Sequence, residues 1–160
     1  MSLRSEAGLM MAPDDLNRLI ARHFPDYAAC RVVEVDPAHL VMEAEGARLR
    51  TRPGGTISGP EQVGLVDLAG FLLINARLGP TLMALTSSLQ VNFLNRPGTG
   101  LLRTRVRMAK SGRRLCVVLA ELEDEEAGLA ATATVTYSVP PADRRSGPAG
   151  PGSGGAAQAR

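Results

Sequence analysis

One carboxylate, Asp67, lies in a stretch that is otherwise apolar or Gly from Val63 to Ile74. The residues from Ser58 to Leu78 have the pattern of one helix, and a helix that is apolar on every face is normally surrounded by the rest of its domain. Burying a carboxylate in such a place costs free energy, so Asp67 is expected to have a bonding partner or a chemical task.

The start of this helix is marked by Ser58, Pro60 and Glu61. Ser58 and Glu61 have the spacing of a capping box, and Pro60 falls in the first turn, where its missing N–H costs nothing. The leading N–H groups of a helix have no intrahelical acceptor, so this end can stabilise negative charge. Gly59 has no side chain, which lets a ligand approach the backbone closely.

The composition predicts one domain with a sizeable core, since 160 residues are 44% hydrophobic and 21% charged. The net charge is only +2, and the segment after Pro140 accounts for it, because Arg144, Arg145 and Arg160 outnumber Asp143 there. The folded part is therefore neutral, and aromatic residues make up only 3% of the chain. Both facts argue against a nucleic-acid partner.

Several other classes lack their motifs. Cys30 and Cys116 have no CxxC spacing and lie in apolar, strand-like runs, which predicts buried free thiols. Neither metal-ligand spacing, a Gly-x-Ser-x-Gly elbow nor a Walker loop is present, so no metal or cofactor is expected. The longest apolar run, Leu68 to Ile74, is too short to cross a bilayer, and no targeting signal is evident. We expect a cytoplasmic protein without membrane insertion.

The periodicity predicts an α+β fold. A loose arm (residues 1–12) precedes a helix of about ten residues that opens at Pro13. Two segments of period two, CRVVEV and HLVMEAEG, predict an antiparallel hairpin, and ARLRTRPGGTI predicts a third extended piece that ends in a loop. The central helix follows.

After Gly79-Pro80 the pattern is extended, with long strands joined by short turns, which predicts an antiparallel sheet. The expected fold is one antiparallel sheet wrapped around one long central helix. The predicted domain spans residues 1–139, and the Pro/Gly-rich tail, residues 140–160, is expected to be disordered.

Three stretches resemble the hot-dog fold, and specifically the PaaI-like acyl-CoA thioesterase family. The family signature is Asn-x-x-Gly-x-x-His-Gly-Gly with an acidic residue nine positions after the His, and Asp67 is nine positions after Ser58. The strand that ends Phe93-Leu94-Asn95-Arg96-Pro97 is similar to a family strand ending Phe-Leu-x-Pro. The segment from Lys110 to Tyr137 resembles the closing hairpin and an Ala-x-Ala-x-x-x-Tyr-like last strand. The match covers roughly residues 29–139.

The resemblance implies an acyl-CoA thioesterase. It implies that the Gly59 N–H polarises the thioester carbonyl, that Asp67 is the nucleophile or general base, and that the Thr86 hydroxyl holds the attacking water. The chain departs from the family where Ser58 replaces the His, Pro60 the second Gly and Arg52 the Asn. The polar face that carries Thr86 is also consistent with simple solvent exposure.

The candidate substrate-binding residues are Arg52, Gly55, Ser58, Arg96, Lys110 and Arg113. Arg52, Gly55 and Ser58 belong to the signature region. The three basic residues borne by turns are candidates for contacts with the CoA phosphates, although basic turn residues are most often only solvated.

Helix geometry makes one further prediction. Gly59 and Asp67 are eight residues apart, which places them about 12 Å apart along one helix, too far for one carbonyl group to reach both. Two such helices running antiparallel across a two-fold axis bring Gly59 of one copy beside Asp67 of the other. The predicted assembly is therefore a dimer or a dimer of dimers with two composite sites per dimer.

Two interpretations remain besides a hydrolase. The loss of the signature His and Asn is consistent with a non-catalytic module that binds an acyl group or CoA thioester. Asp67 is also consistent with a structural acid satisfied by helix-end N–H groups or by Arg52. A dehydratase or hydratase on the same fold has less support, because His23 and His39 both lie outside the signature region.

Overall fold

The computed structural model describes residues 8–145, which form one six-stranded antiparallel sheet packed against a long helix. The elements are α1 (Pro13–His23), β1 (Cys30–Val35), β2 (His39–Glu45), α2 (Gly59–Leu78), β3 (Leu85–Phe93), β4 (Leu101–Ser111), β5 (Leu115–Asp124) and β6 (Gly128–Ser138). Three short 3-10 helices span Pro25–Tyr27, Gly46–Arg48 and Ala142–Arg144. The predicted α+β hot-dog architecture is confirmed. Most of the predicted N-terminal arm (residues 1–7) and of the predicted tail (residues 146–160) lies outside the described residues.

Helix α2 occupies the centre of the core, as its uniformly apolar sequence predicts. Every residue from Leu68 to Ala76 is buried, and nine consecutive positions cover all directions around the helix axis. The helix ends at Gly79, whose positive φ of 80° suits glycine and stops the chain from continuing as a helix. Nearer the start of the helix, Val63, Gly64 and Asp67 form one face that is only partly buried.

The strand order is β1-β2-β4-β5-β6-β3. Strands β4, β5 and β6 pair in chain order, as their short turns predict. Strand β3 differs from that expectation, because it pairs with β6 rather than with β4 and forms an edge of the sheet. The loop of residues 94–100 carries the chain from β3 to β4; it bonds to β6 through the Leu94 and Asn95 N–H groups, and its Pro97 carbonyl accepts from Ile57.

The predicted third extended piece is wrong for its first half. Residues Gly46–Arg48 form a 3-10 helix, and only a single bridge, Thr51 to Ile57, has strand geometry. Gly54 and Gly55 have positive φ values of 99° and 80°, so the chain turns back on itself at this point and delivers Ser58 to the start of α2.

Both cysteines are free and buried, as predicted. Burial is the main cause that raises the pKa of Cys30 from 9.0 to about 12, so this thiol is protonated at neutral pH. Within residues 8–145, no group of His, Cys, Asp or Glu side chains could hold a metal ion. No helix in that range is long and apolar enough to span a membrane.

Candidate active site

The N-terminus of α2 is capped by Ser58, whose Oγ accepts a hydrogen bond from the Glu61 N–H at 3.4 Å. The second half of the predicted capping box does not form. The Ser58 N–H donates to the Arg50 carbonyl at 3.0 Å, and the Glu61 carboxylate pairs instead with the Arg50 guanidinium at 2.8 Å. Arg50 therefore takes both of the groups that would have completed the box.

A cavity of about 450 Å³ opens at this helix end. It brings together four of the predicted residues: Arg52, Ser58, Gly59 and Arg96. Gly55 lies in the adjoining turn. The Gly59 N–H is the first of the helix, so no intrahelical carbonyl accepts from it, and Pro60 has no N–H to offer. Gly59 has no side chain, which leaves this N–H approachable from the cavity. A Cβ at this position would contact the Phe93 ring at 3.6 Å.

Asp67 lies two turns further along α2, and its carboxylate is partly buried. The Thr86 hydroxyl on β3 donates to Asp67 Oδ1 at 2.7 Å. The Tyr137 hydroxyl on β6 lies 3.1 Å from the same oxygen and donates to the Asp67 main-chain carbonyl at 2.6 Å. Among residues 8–145, no donor contacts Asp67 Oδ2. Arg52 is not a partner of Asp67, because Arg52 lines the cavity at the N-terminus of α2.

Tyr137 is the residue of this cluster that sequence reasoning missed. It is fully buried, and burial first, with the Asp67 charge and hydrogen bond adding to it, raises its pKa well above the usual range for tyrosine. One signal was available in the sequence. Gly70 is an unexplained glycine in the apolar helix, and the structure shows that a Cβ there would collide with the Tyr137 hydroxyl.

A second cavity, of about 270 Å³, lies directly beside Asp67 and Thr86. Its walls are mainly apolar and include Phe24, Tyr27, Leu68 and Phe71. Phe24 packs edge-to-face against Phe71, with ring centroids 5.5 Å apart. Burial, followed by the nearby charges of Glu61 and Asp67, raises the pKa of Tyr27, so the Tyr27 hydroxyl is uncharged at neutral pH. The cavity suits an apolar group that presents a polar end to Asp67.

The two cavities are separate within one chain, since Gly59 and Asp67 occupy different turns of the same helix. Lys110 and Arg113 lie at neither cavity. They belong to the β4–β5 hairpin, which contacts the opposite end of α2 through a 3.1 Å bond from Arg77 Nε to Ser111 Oγ. One protomer therefore does not bring these two basic residues together with Arg52 and Arg96.

A depression of about 640 Å³ is a different feature. It runs across the strands of the sheet and is lined by a cross-strand row with mixed charges that includes Glu34, Val41, Arg105, Glu121, Thr132 and Asn92. No residue of α2 and none of the predicted site residues lines it. Volume alone does not indicate a catalytic or binding role for this depression.

Comparison with known proteins gives a consistent assignment. Residues 69–138 match a family model described as the acyl-CoA thioesterase N-terminal domain; this range includes Thr86 and Tyr137 and begins just after Asp67. No curated protein sequence matches the chain. A protein from Silicibacter sp. TM1040 assigned as a thioesterase is 30% identical with a TM-score of 0.75, over 83% of this chain and 94% of that one.

Two further solved structures are similar. A phenylacetic acid degradation-related protein from Ralstonia eutropha JMP134, also assigned as a thioesterase, is 28% identical with a TM-score of 0.61, over 69% of this chain and 84% of that one. A protein assigned as a thioesterase from Streptococcus pneumoniae TIGR4, solved with coenzyme A, has a TM-score of 0.62 over 71% of this chain and 90% of that one. Its identity of 18% supports likeness of fold alone.

Proposed function

Because the chain belongs to the hot-dog family of thioesterases, we propose that it hydrolyses an acyl-CoA thioester to a free acid and CoA. The observation that carries this proposal is the Asp67 carboxylate, which the Thr86 hydroxyl holds at 2.7 Å beside an apolar cavity. A carboxylate in this setting is suited to act on an acyl group in the cavity, as a general base or as a nucleophile.

In the general-base route, the Thr86 hydroxyl donates a hydrogen bond to Asp67 Oδ1 and accepts one from a water molecule through a free lone pair. Asp67 Oδ2 removes a proton from this water as the water oxygen attacks the thioester carbon. The carbonyl oxygen gains negative charge, and the Gly59 N–H donates to it. The C–S bond then breaks, the CoA thiolate takes up a proton from Asp67, and the carboxylate is restored.

The nucleophile route uses the same residues. Asp67 Oδ2 attacks the thioester carbon, CoA leaves, and a mixed anhydride forms on Asp67. Water then hydrolyses the anhydride and frees the acid. In both routes the reacting oxygen is Oδ2, since Oδ1 already accepts a hydrogen bond from the Thr86 hydroxyl.

The proposed working unit is a dimer in which one copy supplies Asp67 and the other supplies the Gly59 N–H. The separation of about 12 Å along α2 requires this arrangement for a single carbonyl group. The exposed edge strand β3 supports it, because Leu85 and Phe93 are 67% and 53% exposed at its two ends. These side chains border the cavities at Asp67 and at Gly59 respectively, so a second copy that covers β3 would also close both cavities. A dimer of dimers keeps the same composite site.

The proposed substrate places its acyl group in the cavity beside Asp67 and its CoA portion toward the helix end that carries Arg52 and Arg96. The Streptococcus pneumoniae structure with coenzyme A supports a CoA ligand for this fold. In an antiparallel dimer, the hairpin with Lys110 and Arg113 of one copy lies on the side of the other copy's helix N-terminus. These four basic residues are the proposed contacts for the CoA phosphates. The similarity to the Ralstonia eutropha protein supports a PaaI-like subtype.

A non-catalytic acyl-CoA binding protein is the second candidate. The observation that favours it is the local chemistry at the helix end, where Ser58 serves as a cap and Arg52 replaces the family's Asn. Neither residue repeats the polar contacts that the family's His and Asn imply.

The test is thiol release from a panel of acetyl-, octanoyl-, palmitoyl-, benzoyl- and phenylacetyl-CoA in the presence of a thiol reagent. We expect hydrolysis of at least one member by the wild-type protein. Asp67→Asn should lose about 100- to 10,000-fold in kcat while it remains folded and dimeric, since a general base contributes that much. Glu125→Gln, which removes a carboxylate from the exposed β5–β6 turn, is the matched control and should keep full activity.

Two outcomes would overturn the assignment. Binding of an acyl-CoA without any thiol release would favour the binding protein. Hydrolysis by Asp67→Asn at the wild-type rate, together with a lower melting temperature, would make Asp67 a structural acid.

A further inference from the structure

The buried Tyr137 hydroxyl transfers no proton in the mechanism above, yet it makes two contacts with Asp67. Its single proton is shared between two acceptors, the Asp67 carbonyl at 2.6 Å and Asp67 Oδ1 at 3.1 Å. The hydroxyl therefore links the backbone of this turn of α2 to the Asp67 carboxylate.

Tyr137 and Thr86 act on Asp67 as a pair. They are directly opposite each other in the β3–β6 ladder, and both reach the same carboxylate oxygen. The register of β3 shifts between Thr86 and Ser88, and such a bulge re-aims the side chain next to it. The sheet thus presents two hydroxyl groups to Oδ1 from neighbouring strands.

The close approach of Tyr137 depends on Gly70. A Cβ at residue 70 would collide with the Tyr137 hydroxyl oxygen and would come within 3.1 Å of two carbons of its ring. The packing of a helix glycine against a strand tyrosine is therefore what places the hydroxyl at Asp67. The hydroxyl also stays protonated at working pH, because burial and the Asp67 charge both oppose its ionisation.

We propose that Tyr137 is a positioning residue for Asp67, an inference that rests on the thioesterase function proposed above. Together with Thr86 it fixes Oδ1, so that Oδ2 keeps the orientation in which it faces the substrate. Tyr137 touches neither substrate nor water in this role, and its effect passes entirely through Asp67.

The test begins with Tyr137→Phe, which keeps the ring and removes only the hydroxyl. The variant should fold, because it keeps the buried ring, and α2 is a continuous helix from Gly59 to Leu78. We expect kcat to fall about tenfold or more, as for loss of a hydrogen bond to a charged group, with KM within about twofold of wild type. Gly70→Ala, which keeps the tyrosine but displaces its hydroxyl, should lower kcat in the same way.

The Asp67→Asn background separates positioning from a general structural role. If Tyr137 acts through Asp67, adding Tyr137→Phe to Asp67→Asn leaves the residual rate unchanged. An equal loss in both backgrounds, or a folded Tyr137→Phe with wild-type kcat, would overturn the inference. The proposed function is tested separately. If the wild type is active, Asp67→Asn is inactive and Tyr137→Phe is fully active, the positioning role of Tyr137 is overturned while the thioesterase function stands. A wild-type protein that hydrolyses no thioester would overturn both.

Discussion

At the scale of residues, the sequence predicts one half of the Asp67 environment and misses the other. The spacing from Ser58 and the apolar surroundings single out Asp67, and the family resemblance implies a role for Thr86. The structure places these two in contact at 2.7 Å. Tyr137 is separated from Asp67 by 70 residues, and no local pattern indicates which buried tyrosine reaches a given helix. Only the sheet register reveals it.

Thr86 offers a prediction at this scale. Thr86→Val keeps the shape of the side chain but removes the donor to Asp67 Oδ1, so kcat should fall about 10- to 100-fold, as for loss of a hydrogen bond to a charged group. Thr86→Ser, which retains a hydroxyl, should keep most of the activity. Steady-state kinetics on both variants checks this expectation, and equal rates for Val and Ser would contradict it.

At the scale of elements, helices and strands with strong periodicity are predicted well because their burial pattern is local. The position of β3 is not predictable in this way, since its pairing with β6 joins two segments that are far apart in the sequence. The capping box fails for a similar reason. Arg50 is outside the motif, and it competes for both Glu61 and the Ser58 N–H.

The cap itself gives a prediction about stability. Ser58→Ala removes the acceptor for the Glu61 N–H and should lower the free energy of unfolding by about 1 kcal/mol. Urea unfolding measures this, with Ser58→Asp as the control that restores an acceptor at the N-cap. An unchanged midpoint in Ser58→Ala would show that the 3.4 Å contact contributes nothing.

At the scale of the whole molecule, one chain keeps two cavities apart. The Gly59 cavity and the Asp67 cavity lie on the same helix, and each is bordered by an exposed apolar side chain of edge strand β3. Their separation along α2 follows from the sequence alone, because helix rise is fixed. The shape of the Asp67 cavity does not, since this cavity combines α2 with the segment after α1 and with β3.

The central claim is that a site takes Asp67 from one copy and Gly59 from another, and co-assembly of two inactive variants tests it most directly. One variant is Asp67→Asn. The other is Gly59→Val, whose side chain would block access to the residue 59 N–H. This variant should fold, because a Cβ there makes only an ordinary contact of 3.6 Å with the Phe93 ring. A heterodimer contains one site with both native groups and one with neither. Mixing equal amounts with subunit exchange should therefore restore thioester hydrolysis to about one quarter of the wild-type rate. A mixture that exchanges subunits but remains as inactive as its components would contradict the composite site.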